Sequence, residues 1–162
     1  MELDSRVFPP NFSAIYKLQS IDGYDPLYLL RYGELIAASE RKKADINPPF
    51  GFNRIITPHN YDSKIIDLLG VKFVLSLTDL KSDKLKKVYQ EGETRIYENT
   101  NVIPRTFFVS KIIFTSNNKE TISKMLKDSI DLRSEAIVEN SDRKLQNIKQ
   151  TIIGKANIVY YS

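Results

Sequence analysis

The chain of 162 residues contains no cysteine. This absence excludes disulfide bonds, thiolate nucleophiles and zinc sites built from cysteine ligands. It leaves the cellular compartment open, because a reducing cytoplasm and an exported bacterial or archaeal domain without bridges both fit it.

Long hydrophobic runs are also absent. No window of the sequence approaches the roughly 18 to 20 apolar residues that a membrane helix requires. The first residues, MELDSRVFPPNF, lack the basic start and apolar run of a signal peptide. Hydrophobic residues make up 41% of the chain and charged residues 27%, which is typical of a folded protein with a real core. We therefore predict that residues 1–162 form a single soluble domain.

Residues that carry catalytic or metal chemistry are scarce. His59 is the only histidine, and Asp62 and Ser63 follow it too closely in one loop to converge on it as a catalytic triad. The acidic residues match no EF-hand spacing, and the six glycines are scattered singly, so no phosphate-binding loop is present. We predict no catalytic residue, no metal site and no cofactor.

The charge pattern does not favour nucleic acid. The formal net charge is +4, and most basic residues alternate with acidic ones, which is typical of solvated faces. The short basic cluster Arg41, Lys42 and Lys43 leaves a nucleic-acid role as a minor alternative, which predicts strongly salt-dependent retention on DNA. We predict no nucleic-acid partner.

The first helix is predicted within the stretch SIDGYDPLYLLRYGELI. Asp25 is a suitable N-cap and Pro26 a suitable first helical residue, so we expect a helix from there to about Ala38. Tyr28 and Tyr32 are spaced four residues apart, which favours core packing over ligand contact. A glycine in the middle of a helix, Gly33, suggests that another backbone passes close by.

The elements that follow are shorter. Ile65, Ile66 and Leu69 form an apolar helical face that ends at Gly70, before a strand over 71–77. Alternation in that strand predicts one core-facing set of side chains: Val71, Phe73, Leu75 and Leu77.

The second half of the chain reads mainly as strands. We predict a hairpin turning at Glu91-Gly92, a strand over 106–114, a helix capped by Asn117 or Asn118, and strands over 135–140 and 150–162. Ile122, Met125, Leu126 and Ile130 should face the core from that helix. The fold class predicted is α+β, with a mixed or mostly antiparallel sheet and about three helices packed on it.

The segment 38–60 is the longest predicted loop, and loops of that length are often functional. Phe50, Phe52 and Tyr61 lie in it or just after it, where aromatic side chains have less structural reason to occur. The predicted ligand contacts lie in this loop or in the turn before the first helix: Tyr24, Asp25, Phe52, Asn53, Arg54, His59 and Asn60.

Three stretches taken together resemble a known family. They are RVFPPNFSAIYKLQSIDGYDPLYLLRYGELI, IIDLLGVKFVLSL and VYQEGETRIYENTNVIPRTFFV. Their order and spacing, over roughly Arg6 to Val109, resemble the C-terminal extracytoplasmic region of the YfhO-like multispan membrane proteins. Thr100 stands where that family often has proline. Each stretch also has a purely structural explanation, such as a helix–glycine–strand junction.

The resemblance implies a parent similar to membrane glycosyltransferases of the GT-C kind, which use lipid-linked sugars. The matched motifs are not the catalytic ones of such enzymes. The chain is then expected to be an accessory domain on the extracytoplasmic face of the cell membrane, excised from a larger protein and truncated at its C-terminal end. Its partners would be the membrane-embedded part of the same polypeptide and a glycan or lipid-linked sugar. The alternative is a free-standing carbohydrate- or ligand-binding protein, or a hydrolase, that uses the 45–62 loop.

Overall fold

The computed structural model describes residues 7–9, 11–139, 154, 156, 158 and 159. Within these residues the fold is α+β, as the sequence predicts. A 3₁₀ helix, Phe12–Tyr16, comes first. The remaining elements are β1 Gly23–Tyr24, α1 Leu30–Arg41, β2 Ile55–Ile56, α2 Lys64–Leu68, β3 Phe73–Ser76, β4 Leu85–Glu91, β5 Thr94–Asn99, β6 Lys111–Thr115, α3 Asn118–Met125 and β7 Glu135–Glu139.

Strands β3, β5 and β4 form a three-stranded antiparallel sheet with β5 in the centre. The β4–β5 hairpin turns at Gly92, where φ is +55°, a conformation that glycine adopts without steric cost. The predicted hairpin is therefore confirmed. A register shift between Lys87 and Tyr89 marks a bulge in β4.

Strands β6 and β7 pair in parallel, and α3 connects them. The Asn117 side chain caps α3 by accepting a hydrogen bond from the Glu120 N–H at 2.9 Å, as predicted. The strand expected over 106–114 begins only at Lys111. Its partner strand starts at Glu135, and among the residues that the structure describes no strand pairs with the chain before Lys111.

Helix α1 begins later than predicted, at Leu30 rather than after Asp25. Asp25 does accept a hydrogen bond from the Leu27 N–H at 2.8 Å, which is the chemistry of a cap. Its own N–H, however, donates to the Arg54 carbonyl at 3.0 Å. The pairing of β1 with β2 thus holds Asp25 in extended chain, and Leu29 is extended as well.

The predicted inward face of β3 is wrong for Phe73 and Leu75, although Val71, which precedes the strand, packs against the core as predicted. Val74 and Ser76 are buried, whereas Phe73 is 48% exposed. Val74 packs with Leu85 and Tyr97 in a core cluster on one side of the sheet. The residues predicted to be inside, Phe73 and Leu75, face the other side.

A second core cluster joins α2, α3 and the loops beside them. It is built on Ile65, Ile103 and Leu132, and three of the four residues predicted to face the core from α3, Met125, Leu126 and Ile130, pack against it. The fourth, Ile122, is buried. The predicted strand over 150–162 lies outside the described residues except for four isolated positions. No helix in the described part of the chain has the length and apolarity to cross a membrane.

Candidate functional site

Three of the predicted contact residues come together at the β1–β2 pair. Tyr24 lies opposite Ile55, and the Asp25 N–H bonds to the Arg54 carbonyl at 3.0 Å. The Asn11 side chain secures this corner, since it accepts from the Tyr24 N–H and donates to the Tyr24 carbonyl, both at 2.9 Å. Pairing of distant segments therefore positions Tyr24, Asp25 and Arg54.

Phe52 belongs to an aromatic cluster beside α1. Its ring centroid lies 5.8 Å from that of Tyr28 and 5.9 Å from that of Phe50. A Cβ at Gly33 would lie 2.6 Å from Cε2 of Tyr28 and 3.4 Å from Phe50. The space beside Gly33 is thus occupied by aromatic side chains, which leave no room for a Cβ. The prediction that another backbone passes close to Gly33 is wrong. Phe52 has a packing role here.

Tyr32 is half-buried, and its hydroxyl donates a hydrogen bond to the Ile21 carbonyl. Burial, with a smaller contribution from the negative charge of Asp22, raises the pKa of Tyr32 to about 12. The phenol is therefore neutral at physiological pH and fixes the turn before β1 to helix α1.

His59 and Asn60 are held from the other end of α1. The Glu40 carboxylate accepts both backbone N–H groups, at 2.9 and 3.0 Å, and the Asn60 amide donates to the Ser39 carbonyl. The His59 side chain is exposed, and within the described residues its imidazole makes no hydrogen bond. A hydrolytic triad centred on His59 has no support in this geometry.

A small cavity of about 330 Å³ lies between the turn before β1 and helix α1. The carboxylates of Asp22 and Asp25, the ring of Tyr28 and the phenol of Tyr32 line it. We call it the turn cavity. It combines an aromatic ring with two carboxylates, which suits a polar ligand that also offers an apolar face.

A larger cavity of about 780 Å³ lies between the N-terminal segment and the outer face of the three-stranded sheet. We call it the sheet groove. Its apolar lining includes Leu18, Phe73, Leu75, Tyr89 and Ile96, and its cationic lining consists of Lys72 and Arg105. Residues 20–22 line both cavities.

The predicted contacts do not form one site. Asp25 lines the turn cavity and His59 the sheet groove, while the other five line neither: Tyr24, Phe52, Asn53, Arg54 and Asn60. The sequence reasoning missed the sheet groove because Phe73 and Leu75 were assigned to the core. Val74, which lies between them in the sequence, is as apolar as they are. The pattern was therefore also compatible with the opposite face of the strand being buried.

A buried polar network was also missed. Asp67 accepts hydrogen bonds from the Lys84 ammonium at 2.7 Å and from the Asn99 amide at 2.8 Å. All three residues are less than 9% exposed. The three stretches that carry the family resemblance provide two of these residues, Asp67 and Asn99, so the matched motifs serve packing at this point.

No group of three or more His, Asp or Glu side chains in the described part of the chain is arranged to hold a metal ion. No protein-family model, curated protein or solved structure matches the chain. The resemblance to the YfhO-like proteins therefore stays a prediction from sequence.

Proposed function

We propose that the chain is a non-catalytic, extracytoplasmic accessory domain of an integral-membrane glycosyltransferase-like protein. It would help to shape the site for an acceptor or a lipid-linked sugar, or hold the membrane-embedded part of the polypeptide in place. The support comes from the three sequence stretches, from one exposed surface and from the turn cavity.

The exposed surface is the observation that carries the proposal. Leu27, Leu29 and Leu30 are 86%, 78% and 63% exposed, and Ile15 and Tyr16 are 68% and 58% exposed. The Asn11–Tyr24 hydrogen bonds bring the two segments that bear these residues to a common corner. Two joined segments thus each leave large apolar side chains open to water, as a surface that docks on a partner would. The partner we propose is the membrane-embedded part of the same polypeptide.

The buried network supports a non-catalytic role. Asp67 lies on α2 within the stretch IIDLLGVKFVLSL, and Asn99 lies in the stretch that ends in YENTNVIPRTFFV. The side chains of both residues form hydrogen bonds inside the protein. Groups satisfied in this way stabilise the fold and are withdrawn from any substrate.

The turn cavity supports the sugar-handling part of the proposal. Aromatic faces and carboxylates are the groups that contact sugar rings and hydroxyls, and the turn cavity offers both. The alternative, a free-standing ligand-binding protein or hydrolase that uses the 45–62 loop, would border this cavity only at Ile56.

The complete gene product tests the proposal most directly. We expect its sequence to contain many apolar stretches long enough to span a membrane. A gene product consisting of these 162 residues alone would overturn the accessory-domain proposal and favour the free-standing alternative.

Cysteine labelling tests the location and the surface together. Since this chain lacks cysteine, Glu93→Cys at the hairpin tip and Leu27→Cys on the exposed surface each introduce a single thiol into it. In the complete protein, freed of other cysteines, a membrane-impermeant maleimide should label Glu93→Cys in intact cells and label Leu27→Cys far more slowly. In the isolated chain both should react. Labelling of Glu93→Cys only after cell lysis would overturn the extracytoplasmic location. Equal labelling rates of Glu93→Cys and Leu27→Cys in the complete protein would overturn the contact between the exposed surface and the membrane-embedded part.

Sugar binding is tested by titrating the chain with a glycan panel. Asp25→Asn keeps an oxygen for the Leu27 N–H and removes the charge, so it should weaken binding without breaking the turn. His59→Ala, outside the turn cavity, is the matched control. If His59→Ala abolishes binding and Asp25→Asn leaves it intact, the glycan site lies outside the turn cavity. If the chain binds no glycan, only the scaffolding role of the proposal remains.

A further inference from the structure

We propose that the sheet groove binds a single-chain amphiphile with an anionic head, either a phosphate or a carboxylate. The sheet groove shares only residues 20–22 with the turn cavity, and the inference does not rest on the proposed function. The apolar walls of the groove, the cation beside Phe73 and the volume of the groove support this assignment.

The walls are apolar side chains that the protein leaves open to water. Leu18, Phe73, Val88 and Tyr89 line the groove and are 54%, 48%, 46% and 48% exposed. Leu75, Ile96 and Tyr89 lie side by side in register on the outer face of the sheet, opposite the face that packs on Val74 and Tyr97. Covering these side chains would remove apolar surface from water, which favours a hydrocarbon ligand.

The charge at the rim favours an anion. The Lys72 ammonium lies 5.3 Å from the centroid of the Phe73 ring and has no carboxylate partner in the described part of the chain. Arg105, which donates to Gln19, is a second cationic residue of the lining. The acidic residues nearby are Asp22, in the lining, and Glu98, which lies opposite Phe73 in the sheet. Lys72 is therefore the cation that we place against the anionic head group.

The size of the groove fits such a ligand. A volume of about 780 Å³ lies within the range of small-molecule pockets. Strand β3, with four residues, runs for about 13 Å along it. A medium-length alkyl chain can follow Phe73 and Leu75 while its head group reaches Lys72.

The first experiment uses the unmodified chain. Isothermal titration with decyl phosphate and with decanoate, both below their micelle concentrations, should show saturable binding at one site for at least one of them. Decyltrimethylammonium and decyl glucoside have the same chain with a cationic or a neutral head, and we expect both to bind at least tenfold more weakly. Equal affinity for all heads, or no binding of either anion, would overturn the proposal.

The second experiment locates the ligand. The chain has no tryptophan, so Phe73→Trp introduces a single reporter in the groove. Phe108→Trp is the matched control, because Phe108 is also 48% exposed but does not line the groove. The anionic ligand should shift the emission of the first reporter and leave that of the second unchanged. A shift in both reporters would mean non-specific association and would overturn the assignment.

The third experiment tests the head-group contact. Lys72→Gln should weaken binding of the anion about tenfold and leave binding of decyl glucoside unchanged. Lys81 also has no ion pair in the described residues, and it lies outside the groove. Lys81→Gln should therefore change neither the affinity for the anion nor that for decyl glucoside. Circular dichroism of each variant establishes that it is folded. Equal affinities of Lys72→Gln and the parent chain for the anion would contradict the role of Lys72.

Discussion

The side-chain amide of Asn99 donates a hydrogen bond to the carboxylate of Asp67, 32 residues earlier in the chain, at 2.8 Å. The same amide donates to the Val71 carbonyl, and the Asn99 side-chain oxygen accepts from the Asn101 N–H. Asn99 is 1% exposed, so water does not reach these groups and Asn99 provides their hydrogen bonds instead. One asparagine therefore joins the end of the hairpin to helix α2 and to the loop that follows.

Asn99→Ala should destabilise the protein by about 2–4 kcal/mol, because it removes one of the two donors to the buried Asp67 carboxylate and the side-chain partner of the Val71 carbonyl and of the Asn101 N–H. Urea unfolding followed by circular dichroism measures the change. Asn101→Ala is the control: its side chain is exposed, and we expect a change within about 0.5 kcal/mol. Equal effects of the two substitutions would contradict a special role for Asn99.

Lys84→Met should cost about 3–5 kcal/mol, because it removes the cation from a buried pair and leaves the Asp67 charge uncompensated. The matched comparison is Lys87→Met. Lys87 pairs with Asp79 at 3.2 Å on the surface, where an ion pair contributes at most about 1 kcal/mol. The free energies of unfolding of both variants, measured in the same buffer, test this ranking, and a smaller loss for Lys84→Met than for Lys87→Met would refute it.

Tyr32 should make stability sensitive to alkaline pH. Folding raises the pKa of Tyr32 from 10.0 to about 12, so the folded state favours the neutral phenol. The resulting stability is fully present below about pH 10 and is lost as the pH rises through about 12. Tyr32→Phe should remove this loss and the highest-pH step of the phenolate absorbance titration. An unchanged titration curve in Tyr32→Phe would contradict the pKa shift.

Gly33→Ala should have opposite effects in two backgrounds. In the parent chain the new methyl group would collide with the Tyr28 ring, and we expect a net loss of about 1 kcal/mol. In Tyr28→Ala the ring is gone, and the higher helix propensity of alanine should give a gain of about 1 kcal/mol. A thermal-unfolding cycle of the four proteins measures the coupling. Strict additivity would show that Tyr28 does not restrict position 33.

Local signals in the sequence predicted the elements that depend on local chemistry. The cap at Asn117 and the turn at Gly92 follow from hydrogen bonds or backbone angles within a few residues. Gly70 also ends α2 with φ of +72°, as expected. These features were predictable because neighbours in the chain determine them.

The features that failed depend on distant segments. The start of α1 was misplaced because Arg54, far along the chain, binds Asp25. The inward face of β3 was misassigned because Val74 and Leu75 are equally apolar, and only the position of Leu85 and Tyr97 decides between them. The sheet groove exists because Phe73 and Leu75 lie on the outer face of β3. Since distant residues decide which face is outside, the sequence alone did not predict the groove.

The buried network also constrains the order in which the protein assembles. Lys84 immediately precedes β4 and Asn99 ends β5, and Thr100 donates to the Lys84 carbonyl at 2.9 Å. Since a hairpin can form in about 1–10 μs, we expect Lys84 and Asn99 to meet before helix α2, which carries their shared acceptor, has docked. We expect α2 to dock after the hairpin, and a hairpin formed in the wrong register would present no matching pair of donors to Asp67. We therefore expect the network to favour the correctly paired hairpin before the core closes.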